Sequence, residues 1–537
     1  MKDEKPEIEI LDTTLRDGAQ GEGIVFSLRD KLSVTETLDE LGVAWIEAGN
    51  PGSNPKDIEF FRLASSLKLN YSRLCAFGAT RKKGTRAKDD AQLRSLLDAG
   101  TECIVIFGKS WDLHVSEVLN AQPEENVAMI AETINYLKIE GRTVIYDAEH
   151  FFDGWAANAA YAISTVKAAL EAGADRIVLC DTNGGNFPDT VSAAVRDIVN
   201  IMPNAPAGVP IGIHAHNDSG LALANSISAV QAGCTHVQGT LAGFGERCGN
   251  TALAALIPSL ELKMGLRCLP RGNLARIGEM TRRVAEIANV IISDDMPYVG
   301  AHAFSHKAGM HADGILKTNR SFEHVDPAAV GNERRILMSE IGGRSAIAER
   351  VKKIEPSVDK DHPVIITLAE LLKELEAGGW AFEGADASFE ILVRKELGQY
   401  RPFFNIEACR VMSEHPAERQ IACSHAWVKV MVGDKCEIGA AEGVGPVSAL
   451  DGALRRALTC FFPNLAKMRL EDYKVRVIDG KDATAARVRV LIESTDGHRT
   501  WNTVGVSADI IDASRAALVD SIEYKLLCDM EKNNNEK

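Results

Sequence analysis

The strongest constraint on the fold is a rhythm in the first 260 residues, where a short apolar run, a turn and an amphipathic helical stretch repeat eight times. Glycine follows several helical stretches, as in Leu41-Gly42 and Ala172-Gly173, and glycine is the expected residue just past a helix. Eight strands alternating with helices over about 250 residues are typical of a (β/α)8 barrel. A doubly wound sheet is the alternative, but its usual six strands leave two runs unexplained. The predicted strands are Ile8–Asp12, Trp45–Ala48, Arg73–Phe77, Cys103–Phe107, Thr143–Tyr146, Arg176–Cys180, Val209–Ile213 and His236–Gly239.

The rhythm ends near Pro270, and the rest of the 537-residue chain shows other patterns. Residues 270–295 and 343–378 predict helices on either side of a stretch rich in glycine and histidine, 300–314. From about Ala387, period-two runs predict strands that alternate with helices. The predicted strands are Ser388–Arg394, His425–Val432 and Arg487–Glu493, and the predicted helices are Ala449–Leu458 and Ile510–Leu527.

The last segment contains an internal repeat, because VGPVSALDGALRRAL (Val444–Leu458) recurs as VGVSADIIDASRAAL (Val504–Leu518). Each unit predicts two strands and a helix, a ββα repeat that buries little surface alone. Two packed units predict either a small ligand-binding module or a module used only for oligomerisation. The helix N-termini, Gly445–Ser448 and Gly505–Ser507, are predicted to be equivalent, with free N–H groups that suit a carboxylate.

These patterns predict an α/β chain in three parts. Residues 1–268 form a (β/α)8 TIM barrel catalytic domain. Residues 269–385 form helical linker subdomains, and residues 386–531 form a C-terminal α+β domain that contains the internal ββα repeat.

Charge and cysteine content narrow the class of protein. The net charge is −15, and no tract of five basic residues occurs, which argues against nucleic acid or anionic membranes as partners. The 11 cysteines are scattered without a CxxC pair, which predicts reduced thiols and argues against a zinc ribbon. The charged N-terminus lacks a signal-peptide core, and no apolar stretch reaches the ~20 residues of a membrane helix. We therefore expect a cytoplasmic protein.

Polar residues follow the predicted strands at the end where (β/α)8 enzymes have their active sites. His214 and His216 are two residues apart at the end of the seventh strand, so both imidazoles point to the same side. With Asp17 and the Asn250 amide oxygen they form a mixed nitrogen and oxygen set suited to Mn, Mg, Zn or Co. A divalent ion held there acts by polarising a substrate carbonyl.

Other residues at the same strand ends suit a small oxygen-rich substrate. Arg16 either forms a salt bridge or holds a substrate carboxylate or an enolate oxygen. Glu149 and Thr182 follow the fifth and sixth strands and complete a pocket. The run GFGERCGN, residues 243–250, is either a tight glycine turn or a cradle of N–H groups for phosphates.

Long strings in the chain resemble the 2-isopropylmalate/homocitrate synthase family, acyltransferases that condense acetyl-CoA with a 2-oxo acid. DTTLRDGAQ (12–20), followed by Lys31, and IGIHAHNDSGLALA (211–224) match the two signatures of that family. DAEHFFDG, LCDTNGG, VQGTLAGFGERCGN, PYVGAHAFSHKAGMH and EHVDPAAVGNERR are similar to its citramalate synthase branch. The resemblance covers nearly the whole chain, including a C-terminal segment similar to the family's regulatory domain.

The resemblance implies roles for individual residues. The implied metal ligands are Asp17, His214, His216 and Asn250. The implied substrate-binding residues are Arg16, Gln20, Glu149 and Thr182. The implied catalytic residues are Arg16, Glu149, His311 and Asp313, with His311 in AGMHADG as the general base. Phe322 stands where the family usually has tyrosine, so the hydroxyl associated there with water activation is absent.

The activity implied by the resemblance is condensation of acetyl-CoA with pyruvate and water to (R)-citramalate and CoA, the first step of threonine-independent isoleucine biosynthesis. A divalent metal ion is the implied cofactor, isoleucine the implied feedback effector and a homodimer the implied assembly. Three alternatives stay open: a 2-isopropylmalate synthase acting on 2-oxoisovalerate, a metal-dependent acyl-CoA lyase or carboxyltransferase, and an inactive barrel. The duplicated C-terminal module argues against a simple lyase, and the intact set of polar residues argues against an inactive barrel.

Overall fold

The computed structural model describes residues 7–201, 208–306, 314–315, 318, 321–336, 344–414, 423–478 and 486–535. The chain forms two units, Met1–Phe304 with His324–Arg334, and Ser305–Glu323 with Arg335–Lys537. Within the described ranges, no helix is long and apolar enough to cross a membrane.

The first unit contains a closed barrel of eight parallel strands in chain order, with the eighth strand paired to the first. The strands are β1 (Glu9–Asp12), β2 (Trp45–Glu47), β3 (Arg73–Ala79), β4 (Cys103–Lys109), β5 (Thr143–Glu149), β6 (Arg176–Asp181), β7 (Ile211–Ala215) and β8 (His236–Gly239). The helices between and after them are α1 (Leu28–Leu41), α2 (Pro55–Ala64), α3 (Ala91–Asp98), α4 (Pro123–Ile139), α5 (Phe151–Glu171), α6 (Pro188–Ile201), α7 (Ala222–Ala232) and α8 (Leu253–Met264). The predicted barrel and all eight predicted strands are confirmed.

Local sequence explains where the barrel helices begin and end. Helix α1 starts with a capping box, in which Ser27 and Asp30 each accept a hydrogen bond from the other's backbone N–H. It ends at Gly42, whose φ of 92° lies in the left-handed region that glycine adopts without strain. These signals fix the length of the helix and so the position of the strand that follows.

The barrel interior is filled by alternate strand residues, because successive side chains of a strand point to opposite faces. The apolar cluster inside the barrel contains Leu11, Trp45, Cys75, Cys103, Val105, Ile145, Val178 and Cys180. Two residues further along their strands from Trp45 and Ile145, Glu47 and Asp147 share that inward direction. The C-terminal end of the interior is therefore polar, while its middle is apolar.

Between the barrel and the duplicated module, the predicted helices are confirmed. Residues 270–295 contain a 3-10 helix (Asn273–Arg276) followed by the α-helix α9 (Ile277–Ile287), and the described part of 343–378 contains α10 (Arg344–Ile354) and α11 (Pro363–Ala377). A short parallel pair joins β9 (Ser305–His306) to β10 (Arg335–Ile336).

The strand predicted at Ser388–Arg394 is wrong, because these residues lie in helix α12 (Asp386–Glu396). Phe389, Ile391 and Val393 alternate as in a strand, but all three are buried in a helix whose Ser388 hydroxyl accepts a hydrogen bond from the Val504 N–H. Tertiary burial on more than one side of the helix removes the amphipathic period that identifies helices in sequence.

The C-terminal module consists of two three-stranded antiparallel sheets, each followed by a helix. The first unit is β11 (Asn405–Glu414), β12 (Cys423–Val432), β13 (Lys435–Gly443) and α13 (Pro446–Thr459). The second unit is β14 (Arg469–Val477), β15 (Val488–Thr495), β16 (Thr500–Ser507) and α14 (Ile510–Asn535). The α+β class and the repeat are confirmed, but each unit has one more strand than the predicted ββα.

The predicted equivalence of Gly445–Ser448 and Gly505–Ser507 is wrong. Gly445 precedes α13 as its N-cap, whereas Gly505 lies inside β16, ahead of the helix that begins at Ile510. A Cβ on Gly505 would collide with the Ala513 carbonyl, and a Cβ on Gly439 would collide in the same way with that of Ala453. Gly505 therefore allows a strand to approach a helix closely, as Gly439 does in the first unit.

Candidate metal centre

Asp17, His214 and His216 meet at the C-terminal end of the barrel. His214 Nε2 lies 3.3 Å from Asp17 Oδ2 and 3.3 Å from His216 Nε2, and His216 Nε2 lies 3.8 Å from Asp17 Oδ2. All three side chains are buried. Ligands of one ion at bond lengths of about 2.0–2.2 Å stand roughly 3–4 Å apart, which these separations match.

Several buried polar atoms around this cluster have no hydrogen-bond partner among the described residues. They include Asp17 Oδ1 and Asn250 Oδ1. The Asn250 amide is oriented by its nitrogen, which donates to the Phe244 carbonyl at 3.1 Å, so its oxygen is left over. Asn250 also forms a β-bridge with His216. Because an unsatisfied buried polar atom costs about 1–3 kcal/mol, these oxygens fit the ligand set of a divalent cation.

The glycines before Asn250 belong to a tight turn. Gly245 and Gly249 have φ values of 154° and 84°, and a Cβ at Gly249 would collide with the Gly243 carbonyl. A Cβ at Gly245 would collide with the Asn250 amide nitrogen. Close backbone packing thus requires both glycines and brings Asn250 beside His216.

Arg16 is held by two carboxylates and an aromatic ring. Its Nε donates to Glu47 Oε1 at 2.5 Å, its Nη1 donates to Asp17 Oδ2 at 3.1 Å, and its guanidinium lies 3.8 Å from the centre of the Phe77 ring. Burial opposes the charged form, but Glu47 and Asp17 outweigh it and raise the pKa of Arg16. The residue is therefore a fixed cation beside the ligand cluster.

Burial and neighbouring charges also shift the pKa values of the predicted ligands. Burial opposes ionisation of Asp17, yet the Arg16 guanidinium and the His214 imidazole hold its pKa well below the usual range. Burial disfavours a charged His214, but the hydrogen bond to Asp17 raises its pKa. Burial and His214 together lower the pKa of His216 to about 4. Asp17 is thus ionised and His216 neutral at pH 7, as metal ligands require, whereas the hydrogen bond to Asp17 favours a proton on His214 that a metal ion would displace.

The other predicted site residues are not part of the cluster formed by Asp17, His214 and His216. Glu149, at the end of β5, forms an ion pair with Lys109 at 2.6 Å. Thr182 follows β6, and its hydroxyl accepts a hydrogen bond from the His150 N–H at 2.9 Å. Gln20 is exposed at the end of the short turn after Asp17. The predicted base His311 and its neighbour Asp313 lie outside the described residues.

Two polar residues inside strands were missed by sequence reasoning. Glu47 in β2 binds Arg16, and Gln238 in β8 lies 3.0 Å from His214 Nδ1. The sequence contains a signal for both residues, because each is a carboxylate or amide residue inside a predicted strand. Glu47 stands in WIEA, and Gln238 stands in HVQG.

A cavity of about 490 Å³ adjoins the candidate metal centre, because the predicted ligand Asn250 lies in the wall of the cavity. Its other lining residues are largely apolar and include Phe244, Val290, Ile292 and Met296. The cavity therefore offers an apolar surface next to the proposed metal ligands.

Three protein families match successive parts of the chain. Residues 7–284 match the HMGL-like family, residues 298–376 the homocitrate synthase post-HMGL domain-like family, and residues 383–526 the LeuA allosteric (dimerisation) domain. The matches together span most of the chain in the order barrel, linker and duplicated module.

Individual relatives are similar over almost their full length. The (R)-citramalate synthase of Aquifex aeolicus is 46% identical over 525 residues, 98% of this chain and 99% of the relative. The (R)-citramalate synthase of Synechocystis sp. is 46% identical over 535 residues, 98% of this chain and 97% of the relative. The 2-isopropylmalate synthase of Methanocaldococcus jannaschii is 30% identical over 526 residues, 98% of this chain and 96% of the relative.

Proposed function

The chain belongs to the citramalate synthase family, and on that premise we propose that it condenses acetyl-CoA with pyruvate and water to give (R)-citramalate and CoA. The observation that carries the proposal is the buried Asp17–His214–His216 cluster beside the unpartnered Asn250 oxygen. Such a reaction supplies the first intermediate of threonine-independent isoleucine biosynthesis. We assign catalysis to residues 1–268, the general base to the linker 269–385, and regulation and dimerisation to 386–531.

Asp17, His214, His216 and Asn250 are the residues that hold the divalent ion in this proposal. When bound, such an ion supplies Lewis-acid polarisation of the keto group of pyruvate. The ligand set is compatible with Mn, Mg, Zn or Co.

Arg16 binds the pyruvate carboxylate or neutralises the oxygen that becomes negative during addition. It is permanently charged, and two of its five N–H groups are accounted for by Glu47 and Asp17, which leaves donors for a substrate. Glu149, Thr182 and Gln20 complete the binding pocket in this proposal.

His311, assisted by Asp313, removes a proton from the methyl group of the acetyl thioester. The resulting carbanion equivalent forms a carbon–carbon bond with C2 of pyruvate, and the keto oxygen takes up a proton. Water then cleaves the thioester, releasing CoA and the second carboxylate of the product. We place the thioester in the apolar cavity beside Asn250.

Two stacked rings favour pyruvate over a larger acceptor. Phe77 in β3 and Phe107 in β4 stack with their centres 5.2 Å apart, and Arg16 lies over Phe77. An acceptor held by Arg16 therefore has aromatic side chains beside it, which leaves less room for the isopropyl group of 2-oxoisovalerate than for a methyl group. The 2-isopropylmalate synthase relatives are also more distant in sequence.

The duplicated module is proposed to bind isoleucine as a feedback inhibitor. It has two cavities of about 450 and 490 Å³, each lined by the helix of one unit and the first strand of the other. Each contains an ion pair of an arginine and an aspartate near apolar residues, Arg515 with Asp512 and Arg455 with Asp451. These groups suit the carboxylate, ammonium and aliphatic parts of an amino acid.

The LeuA match over the same residues supports a homodimer. The free thiols of all 11 cysteines agree with a cytoplasmic location.

Calorimetric titration of the full chain with isoleucine tests the regulatory proposal. We expect binding and inhibition, with a coupling of ~1–3 kcal/mol that lowers substrate affinity several-fold. The variants Arg515→Gln and Arg455→Gln should weaken binding, whereas Arg476→Gln, on an exposed part of β14, should not. Binding of leucine in place of isoleucine would contradict the assignment of both effector and acceptor.

The reaction is tested by incubating the chain with acetyl-CoA, pyruvate and Mn²⁺. We expect release of free CoA and formation of (R)-citramalate, identified by chiral chromatography, with both lost after exhaustive chelation. CoA release without a C5 dicarboxylic acid would contradict the proposal, because it indicates hydrolysis alone.

A further inference from the structure

Gln238 lies inside the barrel between a proposed metal ligand and a buried carboxyl group. The side chain is fully buried on β8, with Oε1 3.0 Å from His214 Nδ1. Its Nε2 donates to Asp147 Oδ1 at 2.9 Å. The three side chains form a chain of hydrogen bonds that runs from β5 through β8 to β7.

The direction of these hydrogen bonds follows from the chemistry of the groups. An amide has its donors on nitrogen and its acceptor on oxygen, so an amide nitrogen that faces Asp147 leaves the oxygen to face His214. His214 must then donate from Nδ1, and in the tautomer without a proton on Nε2 the lone pair of that nitrogen faces Asp17 and His216. That tautomer is the one in which Nε2 is able to bind a cation.

His216 is held in a different way. Its Nδ1 is buried and has no hydrogen-bond partner among the residues that the structure describes. The orientation of His214 is thus set by a hydrogen-bonded side chain, whereas His216 follows β7 and is positioned by its backbone bridge to Asn250.

The side chain of Gln238 is a fully buried amide inside the barrel. Gln238 pairs in register with Leu11, which belongs to the apolar cluster of the barrel interior. Burial of a polar group in such a place is unfavourable unless each of its polar atoms is hydrogen-bonded. Both functional ends of Gln238 are bonded, to Asp147 and to His214.

From these contacts we infer that Gln238, oriented by Asp147, is a positioning residue that sets the tautomer of His214 and so the affinity of the cluster for a divalent ion. The inference rests on the proposed function, because it assumes that the cluster binds a metal. Loss of the hydrogen-bond partner of a ligating histidine's other ring nitrogen typically lowers metal affinity about 10–100-fold.

The test compares the full-length protein with Gln238→Leu, with the double variant Asp147→Asn/Gln238→Glu, and with Tyr146→Phe. The double variant exchanges the amide and the carboxylate between the two positions. The carboxylate introduced on β8 accepts from both the amide introduced on β5 and His214 Nδ1–H, so the direction at His214 is kept. Tyr146→Phe is the matched control, because Tyr146 is also buried on β5 but its hydroxyl faces Ser110, away from the cluster. The Kd for Mn²⁺ is measured from the electron paramagnetic resonance signal of the free ion.

We expect Gln238→Leu to weaken Mn²⁺ binding about 10–100-fold, the double variant to return to near wild-type affinity, and Tyr146→Phe to leave it unchanged. An unchanged affinity in Gln238→Leu, or a double variant that binds as weakly as Gln238→Leu, overturns the inference. If Gln238→Leu does not fold, the double variant decides: wild-type affinity supports the inference and a loss overturns it. Citramalate formation by the wild type is assayed in parallel, so that failure of the reaction is distinguished from failure of the positioning role. A wild type that binds no Mn²⁺ overturns both.

Discussion

Each end of the barrel contains an arginine that pairs with a glutamate. The two pairs differ in the number of hydrogen bonds that join the arginine to the glutamate. At the N-terminal end, Arg176 donates from Nε and Nη2 to both oxygens of Glu9, at 2.5 and 2.7 Å, and lies 4.7 Å from the centre of the Trp45 ring. At the C-terminal end, Arg16 donates to a single oxygen of Glu47, and Glu47 Oε2 has no hydrogen-bond partner among the described residues.

The histidines at the two ends also differ in their neighbours. His236, at the start of β8, lies 3.5 Å from Glu9, and neither of its ring nitrogens has a hydrogen-bond partner among the described residues. His214 and His216 instead converge with Asp17, so that one ligand atom of each of the three residues lies within 4.8 Å of the others. The comparison indicates that the same residue types form an arginine–glutamate pair with two hydrogen bonds at one end and converge as potential metal ligands at the other, where (β/α)8 enzymes have their active sites.

The largest expected difference between the ends concerns the histidines. His214→Ala removes a metal ligand, so we expect loss of bound divalent ion and a fall in kcat/KM of roughly 10³-fold or more, since Lewis-acid activation is worth several kcal/mol. His236→Ala, its control at the other end, should retain the metal and kcat but lower Tm. Metal content by mass spectrometry, kcat/KM and Tm are measured for both. A His214→Ala protein with full activity would show that the cluster is not the metal site.

The two arginines provide the next test. Arg16→Lys keeps the charge but loses the planar fork of donors, so kcat/KM for pyruvate should fall about 10–100-fold through the loss of a hydrogen bond to a charged group. Arg176→Lys should change kcat/KM less than about twofold and reduce the free energy of unfolding instead. Steady-state kinetics and urea unfolding distinguish the two. Equal kinetic losses in the two variants would contradict the contrast between the ends.

The smallest expected effect is the pH-dependent stability that Glu9 supplies. Burial opposes ionisation of Glu9, but the hydrogen bond from Arg176 outweighs it and lowers its pKa. A depressed pKa in the folded state stabilises the protein above the unfolded-state pKa near 4.5, and this contribution is lost as the pH falls towards the folded-state value. Glu9→Gln should therefore cost about 1 kcal/mol at pH 7, allowing for solvent screening of a partly exposed pair.

The stability difference between wild type and Glu9→Gln should narrow as the pH falls below about 4.5. Scanning calorimetry at pH 7, 5 and 3.5 measures it as a difference in Tm. A difference that is constant across this range would show that the Glu9 charge contributes no stability.

The sequence was sufficient for the barrel because each strand is a β-rich apolar run and several helices end at glycines such as Gly42. It was sufficient for His214 and His216 because two residues of a strand with that spacing share a face. It was insufficient for Glu47 and Gln238, whose partners lie on other strands and depend on barrel closure.

The same limit explains the errors in the C-terminal half. Ser388–Arg394 has the alternation of a strand, and only its burial on more than one side favours the helix. Of the two additional strands, β11 and β14, β14 was missed because most of its residues are charged and it is largely exposed along its length. Their pairing with β12 and β15 identifies them as strands.

The central claim, that this barrel joins acetyl-CoA to pyruvate, is tested most directly by measuring CoA release with four acceptors side by side. Pyruvate, 2-oxobutyrate, 2-oxoisovalerate and 2-oxoglutarate are compared at matched concentrations with the metal-loaded, full-length protein. We predict the highest kcat/KM for pyruvate and slower use of 2-oxobutyrate, because one methylene changes binding in an apolar pocket by only ~1–3 kcal/mol. A higher kcat/KM for 2-oxoisovalerate than for pyruvate would contradict the claim and would indicate a 2-isopropylmalate synthase.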